Sequence, residues 1–168
     1  TDVTIGNRVT CIDGTFYGCI SLISITIPDS VTSIGCSAFE NCTLLTSITI
    51  PDSVTSIKES AFKDCTLLKS ITIPGSVTSI EDKAFYGCSS FTDINVDTTN
   101  QNYSSINGVL FNNDATQLIY CPEGKSNSYT IPDSVESIRR SAFEGCTLLK
   151  SITIPGSVTS IGSYAFYN

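Results

Sequence analysis

The 168-residue chain contains no histidine, no methionine and no tryptophan. Without histidine the commonest general base is missing, and with it the usual serine and cysteine triads. Charge is sparse. Only 15% of residues are charged, with 9 basic against 16 acidic side chains and a net charge of −7. Lys and Arg nowhere accumulate, which argues against nucleic acid and anionic membrane surfaces as partners. No apolar run approaches the length of a membrane-spanning helix, and no signal peptide is visible. No Cys-x-x-Cys pair occurs, so zinc is unsupported. No glycine-rich phosphate loop follows a strand. Asp97, Asn100, Asn102 and Asp114 lack the spacing of a calcium loop. These absences predict a non-enzymatic chain without catalytic residues, cofactor or metal.

What is present is repetition. Residues 50–72 read IPDSVTSIKESAFKDCTLLKSIT, and 27–49, 73–95 and 131–153 repeat that pattern. The step is 23 residues, and self-similarity of this period signals a solenoid. The units are 1–26, 27–49, 50–72, 73–95, an enlarged 96–130, 131–153 and a partial 154–168, together one domain. The first is irregular, with Gly6 where proline is expected. The last stops at Asn168, before its expected cysteine, which reads as a fragment or a chain that continues.

Within a unit, Ile48 and Ile50 alternate with Ser47 and Thr49, the period of a strand with one buried face. Pro51 ends that run at a turn. Val54 to Ile57 is a second extended piece, and Ala61-Phe62 predicts a short helical or 3₁₀ turn. One unit cannot bury Ile48, Ile50, Val54, Ile57, Phe62 and Leu68 alone, but stacked units can, at about 4.8 Å per strand.

Cys19, Cys42, Cys65, Cys88 and Cys146 share one slot. Two readings compete there: a ladder of small buried thiols, or disulfides and metal ligation. Cys11, Cys36 and Cys121 lie off this ladder, with Cys11 and Cys36 on neighbouring units and either free or paired.

The polar strand positions form the candidate binding face: Ser47 and Thr49, Ser70 and Thr72, Asp93 and Asn95, Ser151 and Thr153, flanked by Lys69 and Lys150. Repeat arrays present such extended surfaces for binding. The enlarged unit has 35 residues instead of 23. Its runs Val109–Phe111 and Leu118–Tyr120, separated by Asn112-Asn113-Asp114, predict a β-hairpin growing out of the stack. It serves either specificity or the bending of the solenoid. Asn41-Cys42-Thr43 and Asn102-Tyr103-Ser104 are glycosylation sequons, relevant only with a eukaryotic secretory route.

The pattern Leu-x-x-Ile-x-Ile-Pro-x-Ser-Val-x-x-Ile-x-x-x-Ala-Phe-x-x-Cys resembles the BspA-like, or Treponema pallidum type, leucine-rich repeat. The resemblance covers nearly the whole chain. It implies a leucine-rich repeat solenoid, an α/β repeat that is mostly β, with a parallel concave sheet as the usual binding face. It further implies a surface or secreted protein that adheres to an extracellular or host-surface protein. The matching motif is scaffold, so no binding residue carries over. The alternative is a structural array that forms stalks or filaments by end-to-end self-association. Ice or crystal-surface binding is disfavoured, because Asp93 and Asn95 interrupt the Ser-x-Thr column.

Overall fold

Ser-Ile, a β-branched apolar residue after a small polar one, stands at 33–34, 56–57, 79–80, 137–138 and 160–161, the same slot of five coils, and pairs from coil to coil. In the computed structural model, which describes residues 3–167, thirteen short strands run in chain order. They are β1 (Cys11–Ile12), β2 (Ser33–Ile34), β3 (Ser56–Ile57), β4 (Ser70–Ile73), β5 (Ser79–Ile80), β6 (Asp93–Val96) and β7 (Tyr103–Ile106). There follow β8 (Val109–Asn112), β9 (Gln117–Tyr120), β10 (Asn127–Thr130), β11 (Ser137–Ile138), β12 (Leu149–Thr153) and β13 (Ser160–Ile161). β1, β2, β3 and β5 form a parallel sheet in which Ile12, Ile34, Ile57 and Ile80 stand in one register. The isoleucines face inward. The serines stay at the edge, where Ser33 Oγ and Ser56 Oγ share a 2.9 Å hydrogen bond. The molecule is a parallel β-solenoid of about seven coils.

The polar column expected over 45–50 is extended and alternates in burial: Ile48 and Ile50 point in, Ser47 and Thr49 out. Full ladder pairing on this side is confined to β4 with β6 and β10 with β12.

The helical turn expected around Ala61-Phe62 is not formed, and the described residues contain no helix. The reason lies in the backbone. Ser37 and Asn41 adopt left-handed φ values of 51° and 61°, and their counterparts Ser60 and Asp64 do the same. Left-handed residues cannot propagate a right-handed helix. They alternate the direction of the backbone donors instead. The N–H groups of Ala38, Glu40 and Cys42 bond back three residues within their own coil. Those of Ser37, Phe39 and Asn41 donate to Glu59, Ala61 and Lys63 carbonyls of the next coil at 3.0, 2.8 and 2.8 Å. We term this segment the turn row. It is a coil-to-coil ladder built without strands.

The row holds an aromatic column. Phe16, Phe39, Phe62 and Phe85 stack nearly parallel, with centroids 5.2, 5.4 and 5.8 Å apart. Beneath it the ladder thiols act as donors: Cys42, Cys65 and Cys88 Sγ bond the carbonyls of Phe16, Phe39 and Phe62 at 3.1, 3.1 and 3.0 Å. Buried thiols of this kind satisfy a carbonyl while filling space as small hydrophobes.

The fifth coil contains the expected hairpin, β8 with β9 around Asn112-Asn113-Asp114, but not its outward direction. The insertion does not project. β7, β8 and β9 form an antiparallel meander that β9 joins to β11 in parallel. Val109, Leu110 and Phe111 are all fully buried. Three consecutive apolar residues bury both faces of a strand, which suits the inside of a stack and not an exposed hairpin. The first turn of the meander is Asn107-Gly108, both left-handed at 52° and 75°. This dipeptide is a strong hairpin signal. β9 then runs directly into Cys121, whose N–H donates to Ala142 O at 2.7 Å, just as Phe39 donates to Ala61. Cys121 therefore occupies the phenylalanine slot of its row. Tyr129, in a strand slot that isoleucine fills in other coils, packs its ring against Phe143 at 6.2 Å.

The Tyr129 hydroxyl is buried without a hydrogen-bond partner, and an unmet buried hydroxyl is costly. Tyr129→Phe is expected to raise unfolding stability by about 1 kcal/mol, measured as a higher urea midpoint at unchanged slope.

Candidate protein-binding surface

The residues singled out on the polar column are solvent-facing, but they do not form one continuous strip. β4 sets Ser70 opposite Asp93 and Thr72 opposite Asn95. With Lys69 on the neighbouring surface and Ser47 and Thr49 one coil earlier, they make a first patch. Ser151 and Thr153 lie on β12 opposite Ser128 and Thr130 of β10, and with Lys150 they make a second. Between the patches stands the tip of the β7–β8 hairpin, where Ile94 N–H donates to Gly108 O at 3.0 Å. Lys125 Nζ lies 3.4 Å from Asp93 Oδ1 across the same gap. Asp93 is thus partly neutralised. Lys69 and Lys150 belong to different patches. Ser128, Thr130 and Lys125 escaped the sequence reading because the 23-residue step is lost before them. Their only signal is Tyr129-Thr130-Ile131, which resumes the strand alternation.

Asn102 is exposed beyond the Asp97 turn. Asn41 sits half-buried in a turn row, with its N–H committed to Lys63 O and the following Cys42 sealed in the core. No helix among the described residues is long and apolar enough to cross a membrane.

All eight cysteines are free thiols, and their environments divide them. Burial pushes Cys42 up to about 11 and Cys65 up to about 12, and it carries Cys88 well above the ordinary thiol range. A thiol needs its thiolate to react. Cys11 and Cys36 are exposed and Cys19 is half-buried. At neutral pH, native protein is expected to alkylate rapidly at Cys11 and Cys36 and slowly at Cys19. The other five should label only in denaturant, as read by mass spectrometry.

Where the fifth coil lacks the first part of its turn row, the rows of coils four and six face each other across a cleft of about 140 Å³. Its floor is Phe85, Leu110, Ile119 and Tyr120, and the Tyr120 hydroxyl donates to Phe85 O at 2.9 Å. Arg139 spans the gap to Asp82 at 2.5 Å, an ion pair between residues 57 apart in sequence. Beside the cleft, Gly87 N–H has no row carbonyl to meet and bonds Glu123 Oε1 at 2.6 Å instead. Glu123 is only 7% exposed. Burial raises its carboxyl to about 7, against the pull of the Gly87 hydrogen bond, and the Asp64 and Glu144 carboxylates add to the rise.

This shift has a definite sign. Between the ordinary value of 4.5 and about 7 the folded chain holds a proton that the unfolded chain releases. The contribution to stability is complete below 4.5 and is lost as pH rises through 7. Unfolding stability should therefore fall by about 2–3 kcal/mol between pH 4.5 and 8 from this group. Glu123→Gln, measured by urea titration across that range, should remove that part of the fall.

A solenoid with these strands, rows and thiols defines a leucine-rich repeat protein. The chain belongs to the family described as the BspA type leucine rich repeat region, matched in six copies over residues 10–126 and 119–168. No curated protein sequence matches it. Among solved structures, a leucine-rich repeat protein from Eubacterium ventriosum is 31% identical with a TM-score of 0.83, over 99% of this chain and 50% of its own. A leucine rich cell surface protein from Faecalibacterium prausnitzii is 38% identical with a TM-score of 0.80, over 91% and 41%. The pneumococcal vaccine antigen PcpA is 31% identical with a TM-score of 0.78, over 87% and 37%. The chain spans about half the length of the first of these and less of the others.

Proposed function

We propose that this chain is a non-enzymatic adhesion module of a surface or secreted bacterial-type protein, a single repeat domain that binds an extracellular or host-surface protein. One observation carries the reading. Two polar patches of Ser, Thr, Asn and Lys face solvent on a scaffold whose every coil is locked to the next. A rigid array with small polar side chains loses little entropy on binding and offers many main-chain-spaced hydrogen-bond groups. Similarity to a cell surface protein and to a pneumococcal antigen supports the location. The exposed positions of the insertion, such as Gln101 and Asp114, extend the surface that a partner could read.

Label-free binding to a panel of extracellular matrix and cell-surface proteins tests this. Saturable binding that Lys69→Glu/Lys150→Glu or Gln101→Lys/Asp114→Lys weakens at least about tenfold is the expected result. A folded chain that binds nothing on the panel rejects the reading.

A further inference from the structure

The cleft between the fourth and sixth turn rows holds a specific set of unmet backbone groups. In the regular rows the first donors reach the next coil: Ser37 and Phe39 donate to Glu59 and Ala61, and Ser60 and Phe62 to Asp82 and Ala84. The corresponding donors of the fourth coil are Lys83 and Phe85. Neither N–H forms a hydrogen bond among the described residues, although Phe85 is only 2% exposed. On the opposite wall the Arg140 carbonyl, counterpart of Glu59 O, accepts none either. The neighbouring positions of the same two rows are met by substitutes. Glu123 takes the Gly87 donor and Cys121 supplies Ala142. What is left open is the first half of one row: two donors on one side, an acceptor on the other, and an apolar floor.

We propose that this cleft is a second binding site, which takes a short extended peptide segment of a partner protein through its main chain. The segment supplies in trans the half-row that the fifth coil lacks. Its carbonyls accept from Lys83 and Phe85, one of its N–H groups donates to Arg140, and one apolar side chain rests on Leu110 and Ile119. Recognition by main-chain pairing at an open ladder is a general way of capturing peptides. Charge decides between a peptide carbonyl and a carboxylate as the acceptor. Arg139 is already paired with Asp82, and Lys58 with Glu81. Glu59 and the buried Glu144 stand against Lys83 and Arg140. The rim is nearly balanced, so a neutral amide meets no repulsion and a carboxylate gains no net attraction.

The site lies away from the polar column and uses none of Ser47, Lys69 or Lys150, so it stands or falls separately from the adhesion face. The probe is an end-blocked peptide with the sequence of residues 57–62, Ile-Lys-Glu-Ser-Ala-Phe, the equivalent half-row of the third coil. Its binding is followed by amide NMR on the full chain. The expected result is saturable shifts of the Lys83 and Phe85 amides, and slowed hydrogen exchange at Phe85. Affinity should drop about tenfold when the peptide nitrogen of its serine is methylated, the loss of one hydrogen bond to an otherwise unmet carbonyl. The Lys69→Glu/Lys150→Glu chain should show the same shifts. Silent Lys83 and Phe85 amides at millimolar peptide would overturn the proposal. So would equal affinity for the methylated peptide, or shifts confined to the polar column.

Discussion

The coil-to-coil hydrogen bonding of the turn row is the constraint on which the rest of the structure depends. Because left-handed residues at the serine slot and at the slot before cysteine alternate the backbone donors, each regular row closes on itself and simultaneously grips its neighbour. The spacing this imposes brings the phenylalanine rings to 5.2–5.8 Å. It also puts each ladder thiol under the preceding phenylalanine carbonyl. Serines add a further tie on the opposite side, where Ser53 and Ser76 donate to Val31 and Val54 carbonyls at 2.6 and 2.7 Å. Ser30, Ser134 and Ser157 do likewise, and the Thr32, Thr55, Thr78 and Thr159 hydroxyls bond carbonyls of the preceding coil. The composition, poor in charge and rich in hydroxyls, follows from it.

Much of the architecture was legible in the sequence because repetition multiplies weak signals. Ile57 alone is ambiguous, whereas Ile12, Ile34, Ile57 and Ile80, recurring every 22 or 23 residues, are a buried column. The buried thiols at Cys42, Cys65 and Cys88 were legible for the same reason. The turn row was not, because Ala-Phe reads equally well as a helical fragment. Its real signal was the residue before each ladder cysteine, Gly18, Asn41, Asp64, Gly87 and Gly145. Those are the residues that tolerate left-handed φ. The fifth coil was misread in direction only: the turn around Asn113 is present, but Leu110 and Phe111 lie inside.

The candidate surface was less legible than the fold, and for a physical reason. Solvent-facing positions carry no packing constraint, so their pattern records what the scaffold permits and not what a partner requires. Alternation identified Ser70 and Thr72 as outward-facing. It could not show that Lys125 would reach Asp93, or that Gly108 would divide the column into two patches. Nor could it reveal the cleft, which exists because a row segment is missing and therefore has no residues of its own to read.

The irregular fifth coil has one more consequence, for the alignment of the chain with itself. Coils two, three and six are so alike that a segment shifted by 23 residues would bury the same isoleucines, phenylalanines and thiols. Such slipped stacks would compete closely with the native one. The fifth coil admits no such exchange. Cys121 fits only where Tyr120 backs it against Phe85, and Glu123 only where Gly87 lacks a carbonyl. Asn107-Gly108 turns only where Ile94 awaits an acceptor. One unlike member in an array of near-copies thus acts as an indexing mark, fixing which coil stands next to which.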